Sequence, residues 1–212
     1  MFTKAILPDT FRAIQLVSKI PFMKEAYLAG GTALALQIGH RVSVDLDFFT
    51  LKEFDEDVVS AQLLQFKDFV QKNKAWGTIQ GKIGQTEFSL FYYKNTLVDK
   101  TVEYEGIKLV SKKDIAAMKI EALQGRGTKR DFVDMYFLLK EFKIEDVLVF
   151  YDQKYGILED RYYSIVRSLD YFQDAEHDER ELKMLININW EEVKRYFHNE
   201  SMRLAYLRPD LF

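Results

Sequence analysis

The chain has 212 residues, 48% of them hydrophobic and 15% aromatic, and carries 30 Lys or Arg against 33 Asp or Glu for a net charge of −3. This length and apolar content suit one substantial domain, or one domain with a helical appendage, and only 3 Pro and 10 Gly argue against a linker-rich or disordered chain. The near-neutral charge excludes bulk electrostatic attraction to nucleic acid, so any such contact must come from a local patch, and the absence of cysteine excludes disulfides and thiolate metal sites. No apolar run approaches the roughly 20 residues of a membrane span, and Met1 to Asp9 lacks the charged-then-apolar order of a secretory leader. A soluble cytoplasmic protein is the expectation.

In chain order, Phe11 to Ile20 reads as an amphipathic helix and Ala26 to Ala29 as a short buried strand. Gly30 and Gly31 break that strand, Thr32 can cap a short helix through Gln37 or Ile38, and Gly39 is placed to end it. Val42 to Phe49 alternates like a strand, and Asp55 to Asn73 reads as a helix. Thr78 to Gly81 and Glu87 to Tyr93 read as strands, and Gly106 to Val110 as one more. From Ser111 onward the pattern turns helical: one helix to about Gln124, an interruption at Gly125 and Gly127, a second from about Lys129 to Glu141, then mostly helix from Ile144 to the C-terminus. Strands and helices first, helices afterwards, make the fold class α+β, with a core over residues 1–110 and a helical region over 111–212.

Chemistry concentrates first in Gly30-Gly31-Thr32 and Asp45-Leu46-Asp47. On a strand, residues i and i+2 share a face. Asp45 and Asp47 would then stand side by side and repel each other, and a divalent cation relieves this well, because Mg²⁺ favours carboxylate, phosphate and water oxygens. Gly30 and Gly31 permit a tight strand-to-helix turn whose backbone N–H groups can face a phosphate. Arg41 is near enough in sequence to reach a phosphate, and Ser43 would share the face of the two acids. The bland alternatives are a simple turn, a solvated acidic strand face, a surface arginine and a solvent-facing serine. An anion cradle beside a metal-binding acid pair supplies the parts needed for phosphoryl or nucleotidyl transfer.

The stretch from Gly30 to Leu36, followed by Gly39 to Phe49, resembles the AbiEii/AbiGii toxin family of nucleotidyltransferases, within the DNA polymerase β-like superfamily. The resemblance implies a polymerase β-like core, a small mixed sheet flanked by helices, followed by a helical region that completes the active site and packs on the core. It implies Asp45 and Asp47 as ligands of Mg²⁺ or Mn²⁺, and Gly30, Gly31 and Thr32 as part of the triphosphate site; Arg41 and Ser43 join the nucleotide-binding candidates by their position.

A second segment runs from Asp114 to Tyr136. Lys119 lies within an apolar helix and must snorkel to water or meet a partner. Arg126, Lys129 and Arg130 cluster in the turn, and Asp131 and Asp134 share a face of the next helix. Capping and a salt bridge to Lys119 or an arginine would also explain the two acids. The segment looks like the family's later motif, which implies Lys119 on the nucleotide phosphates, Asp131 either orienting Lys119 or acting as base on the attacking hydroxyl, and Arg126 and Arg130 in nucleotide binding. Tyr171 to Glu176 and Trp190 to Lys194 also look familial, but no chemistry attaches to them.

Polymerase β-like enzymes usually place a third carboxylate on a later strand. The expected strand, Glu87 to Tyr93, has its acid at the edge, at Glu87. The resemblance thus implies transfer of a nucleotide from an NTP to an acceptor hydroxyl, with tRNA as a candidate acceptor, by the toxin of a type IV toxin–antitoxin or abortive-infection system with a cognate antitoxin. The alternatives are a catalytically degenerate binding module on the same fold, or an enzyme that nucleotidylates protein.

Overall fold

The computed structural model describes residues 1–208. The end of the expected C-terminal helical stretch, residues 209–212, lies outside the described residues. The chain divides into two compact units, Met1–Ser111 and Lys112–Phe212. No helix among the described residues is long and apolar enough to cross a membrane.

The first unit is built on a seven-stranded mixed sheet. In chain order it contains α1 (Pro8–Val17), β1 (Ala26–Leu28), α2 (Gly30–Ile38), β2 (Leu46–Thr50), α3 (Glu56–Leu63), β3 (Phe69–Ala75), β4 (Thr78–Ile83), β5 (Thr86–Tyr92), β6 (Val102–Tyr104) and β7 (Ile107–Leu109). The strand order is β3-β4-β5-β2-β1-β7-β6. β2 pairs antiparallel with β1 and parallel with β5, so it lies inside the sheet with a neighbour on each side. Leu46 and Phe48 of β2 and Phe88 and Leu90 of β5 are buried on one face, while Asp47, Phe49, Ser89 and Phe91 on the other face stay half-buried. This period-2 alternation fixes which way Asp47 points.

Several expected elements differ. α1 begins three residues before Phe11, because Pro8 at its first position has φ preset for a helix and no N–H to satisfy. The helix expected over Asp55 to Asn73 ends at Leu63, and its second half is the strand β3. Asp55 caps α3, its Oδ1 accepting from the N–H groups of Asp57 (2.9 Å) and Val58 (3.1 Å). Phe69 then leaves the helix register to set its ring edge-on to Phe88 at 6.1 Å, and the rest of β3 is a lysine-bearing sheet edge. β6 pairs with β7 and had no strand signal of its own. The strand expected over Val42 to Phe49 exists only from Leu46, for reasons that lie in the site itself.

The second unit contains α4 (Lys112–Gly125), α5 (Lys129–Leu138), α6 (Ile144–Tyr155), α7 (Leu158–Leu169), α8 (Gln173–Glu176) and α9 (Trp190–Leu207). α5 stops at Leu138, short of the expected Glu141, and the stretch between α8 and α9 is not helical. Its core is organised around Phe132, whose ring lies 4.9 Å from Phe172, 5.2 Å from Phe197 and 6.1 Å from Trp190. Glu176 accepts from Trp190 Nε1 (3.1 Å) and Lys194 Nζ (2.7 Å). These contacts explain the segments at Tyr171 to Glu176 and Trp190 to Lys194: they clamp the α5 residue that follows Asp131. α4 and α6 are joined by an ion pair between Asp114 and Lys154 (2.8 Å), both side chains 0% exposed.

Candidate active site

The chain leaves β1 at Leu28 and enters α2 through Gly30, whose φ of +66° lies in the left-handed region that favours glycine. A Cβ at Gly30 would sit 3.3 Å from Asp47 Oδ2. The turn therefore lies directly against the Asp47 carboxylate. A Cβ at Gly31 would collide with Arg41 Nη2 and approach Ser43 Oγ to 3.2 Å. The missing side chain is what lets the Arg41 guanidinium lie on the backbone at the start of α2.

Arg41 is 3% exposed and Ser43 is 7% exposed, so neither is the surface residue that the bland reading supposed. Thr32 is not the helix cap, because α2 starts two residues earlier with Ala29 at the cap position. Its hydroxyl instead donates to the Asp45 carbonyl oxygen at 2.5 Å and lies 2.9 Å from Ser43 Oγ. The Ser43 N–H donates to the Ala5 carbonyl at 2.9 Å. These bonds explain the short β2: backbone groups at 43 and 45 are satisfied from outside the ladder, so Asp45 precedes the strand and Asp47 lies within it. The i, i+2 argument for a shared strand face thus holds for Asp47 and Phe49 but not for Asp45, which Thr32 places instead.

Asp45, Asp47, Gly30, Gly31, Thr32, Arg41 and Ser43 are accordingly gathered around the N-terminus of α2. Among the described residues no group of three or more His, Asp or Glu side chains is arranged to hold a metal ion. Two carboxylates still fit Mg²⁺, which commonly takes one or two from protein and completes its shell with phosphate and water. Asp47 pairs in register with Ser89 of β5, so the neighbouring strand offers no acid beside it. Glu87 is committed elsewhere: Lys72 Nζ reaches it at 2.6 Å and Lys82 Nζ at 3.1 Å. The hydrogen bond from Lys72, helped by Lys82 and opposed by partial burial, holds its carboxyl below the usual value.

Gly31→Ala is expected to push the Arg41 guanidinium off the turn and weaken binding of a nucleoside triphosphate about tenfold, the loss of roughly one charge-assisted hydrogen bond. The double variant Gly31→Ala/Arg41→Ala should be no weaker than Arg41→Ala alone, because the collision is gone. Calorimetric titration of the four proteins checks this.

In the helical unit, Lys119 meets partners rather than snorkelling. Its Nζ lies 2.8 Å from Asp131 Oδ1 and 2.6 Å from Asp134 Oδ2, and its side chain is 7% exposed. Arg126 Nε reaches Asp131 Oδ2 at 3.1 Å, and the Thr128 hydroxyl donates to the same oxygen at 2.6 Å. Thr128 was not among the expected site residues, although the Thr-x-x-Asp spacing of a capping box was legible. The Asp178 carboxyl is lowered first by the hydrogen bond from Arg180, and the charge of Arg130 adds to this.

Burial pushes the Asp131 carboxyl up, but the charges of Lys119 and Arg126, with hydrogen bonds from Lys119 and Thr128, outweigh it and hold the group far below its ordinary 3.8. A carboxylate held this low is a poor base near neutral pH, so the geometry favours its orienting Lys119. The sign for stability follows. With its folded value depressed, Asp131 stabilises the fold above pH 3.8, and that contribution is lost as pH falls from 3.8 toward the lowered value. Asp131→Asn should therefore be less stable than the parent at pH 7, with the gap narrowing at pH 3, as read by urea midpoints.

A family model described as nucleotidyl transferase AbiEii toxin, type IV TA system, matches residues 13–96 and 94–203. The uncharacterized protein aq_aa25 of Aquifex aeolicus (strain VF5) is 34% identical over 191 residues, covering 87% of this chain and 90% of that protein. Among solved structures, the nucleotidyltransferase toxin MenT4 (Rv2826c) of Mycobacterium tuberculosis aligns with a TM-score of 0.55 at 16% identity, over 95% of this chain and 89% of that one. JHP933 of Helicobacter pylori aligns with a TM-score of 0.52 at 15% identity, over 95% and 91%. The family model spans most of the chain and the fold aligns along nearly its whole length: the chain belongs to the AbiEii nucleotidyltransferase toxin family, on a polymerase β-like fold.

Proposed function

We propose that the protein transfers a nucleotide from an NTP to an acceptor hydroxyl in a divalent-metal-dependent reaction, with RNA such as tRNA as acceptor, as the toxin of a type IV toxin–antitoxin system held in check by a cognate antitoxin in the cytoplasm. The observation that carries this reading is the gathering at α2: Gly30 against Asp47, Gly31 against Arg41 and Ser43, and Thr32 tied to Asp45. In the reaction, the acceptor oxygen forms a bond to the α-phosphorus, the α–β bridging bond breaks, pyrophosphate leaves, and the hydroxyl proton passes to solvent.

Asp45 and Asp47 would hold Mg²⁺ or Mn²⁺, which when bound supplies charge neutralisation and lowers the pKa of the attacking hydroxyl. The N–H groups at the start of α2 and the Arg41 guanidinium bind triphosphate oxygens. In the helical unit we assign Lys119 to the nucleotide phosphates, with Asp131 and Asp134 fixing its ammonium and Arg126 in support. Incubating the protein with each labelled NTP, Mg²⁺, total RNA and a protein fraction tests the reading, and label in RNA is the expected result.

One observation favours a second reading. The register that sets Ser89 beside Asp47, and the two lysines that hold Glu87, suit a degenerate fold that binds nucleotide without turnover. That reading predicts NTP binding with no label in any fraction, whereas label in protein alone would identify a protein nucleotidylating enzyme.

A further inference from the structure

The half-buried face of the sheet changes character at Asp47. Two residues further along β2 on the same face is Phe49, which pairs with Phe91 of β5 on one side and Tyr27 of β1 on the other. Phe49 lies 5.5 Å from Phe91, 5.4 Å from Tyr93 and 6.2 Å from Tyr27, ring centre to ring centre. Tyr27 is buried, whereas Phe49, Phe91 and Tyr93 are each half-buried. Phe49 and Phe91 stand on paired strands, and Tyr93, the residue after β5, is tied to β2 by its N–H donating to the Thr50 carbonyl at 2.8 Å.

Beside this aromatic row runs a polar one. Asp47 pairs with Ser89, and Ser89 with Gln80 of β4, whose Oε1 accepts from Asn73 Nδ2 at 3.2 Å. Next to the polar row, Glu87 lies between Lys72 and Lys82, two ammonium groups against one carboxylate. Same-face rows are about 7 Å apart, close to the spacing of successive nucleotides in an extended strand. The aromatic row can stack a base, and the polar and cationic rows beyond it can meet the sugars and phosphates of the strand that continues from it.

We propose that Phe49, Phe91 and Tyr93 form a base-stacking subsite for the unpaired end of a single-stranded nucleic acid, which brings its terminal hydroxyl to Asp47. This rests on the nucleotidyltransferase reading for the role of Asp47, but the stacking itself does not. Every base has a π face, so the ledge tolerates sequence. A duplex end keeps its bases paired and stacked on each other and leaves the rings uncovered.

The test is fluorescence anisotropy of the full chain with a labelled single-stranded oligoadenylate RNA and a blunt RNA duplex, together with calorimetry of Mg-NTP binding. Phe91→Leu and Tyr93→Leu keep apolar bulk but remove the π face, and Phe91→Trp keeps it in case a leucine variant fails to fold. The expected result is preference for the single strand, affinity reduced roughly 5- to 100-fold in each leucine variant, affinity retained in Phe91→Trp, and Mg-NTP binding within about twofold of the parent. Single-strand binding that is absent, no better than duplex, or indifferent to loss of the rings overturns the subsite. Ring-dependent strand binding without any Mg-NTP binding would leave the subsite standing and reject the nucleotidyltransferase reading, so the two fail separately.

Discussion

Asp45→Asn and Asp47→Asn should each lower nucleotide transfer by on the order of 100-fold or more, the usual scale for removing one preorganised electrostatic group from a reaction centre. The two substitutions keep size and hydrogen-bonding capacity and remove only charge. Asp45 is placed through its backbone, by the Thr32 hydroxyl on its carbonyl oxygen, and that bond survives the change. Asp47 is placed by β2 pairing and by the bare Gly30 beside its carboxylate, and those survive too. Loss of function should therefore come without loss of fold. Because the contacts that place both residues survive, the melting temperature should stay close to that of the parent. Transfer of label from Mg-NTP and thermal unfolding on the same samples check both halves, and isothermal titration of Mg-NTP separates binding from turnover. Unchanged Mg-NTP affinity in both variants would remove these acids from the site, and a marked fall in melting temperature would recast them as structural.

Lys154→Met should strongly destabilise the helical unit, costing about 3–5 kcal/mol. Asp114 and Lys154 are both fully buried, and the 2.8 Å pair joins α4 to α6. Taking away the ammonium removes the charge that neutralises a carboxylate in an apolar interior, and that penalty outweighs the gain from added apolar surface. Asp114→Leu/Lys154→Met removes both charges and should recover most of the loss, since a buried pair contributes little net stability over a well-packed apolar pair. Urea unfolding of the parent, the single and the double variant measures this. A double variant as unstable as the single would indicate that the two groups serve other partners more than each other.

The two acid pairs explain how far local pattern reached. Asp45-x-Asp47 was legible because a glycine turn and a strand flank it. Its geometry was only half legible, because the Thr32 hydroxyl leaves its local capping role to meet the Ser43 side chain eleven residues away and the Asp45 carbonyl thirteen residues away. Lys119 stood out as a cation among apolar neighbours. That it would be shared between Asp131 and Asp134, with Arg126 and Thr128 on Asp131, depended on how α4 and α5 pack. The helix expected through Asn73 failed for the same reason: local propensity there was overruled by Phe69 packing on Phe88.

By itself, the sequence determined the α+β order, the turn at Gly30-Gly31, the helix end at Gly39 and the candidates Asp45, Asp47, Lys119 and Asp131, because each rests on neighbours a few residues away. Only the tertiary structure decided that Arg41 is buried on Gly31, that Ser89 and not an acid stands beside Asp47, that Glu87 belongs to two lysines, and that Phe49, Phe91 and Tyr93 line up next to the acid. Those facts depend on strand order and register, which pair residues some forty positions apart. The pairing is fixed by which face of the whole sheet is buried, a property of the assembled sheet rather than of any segment of it.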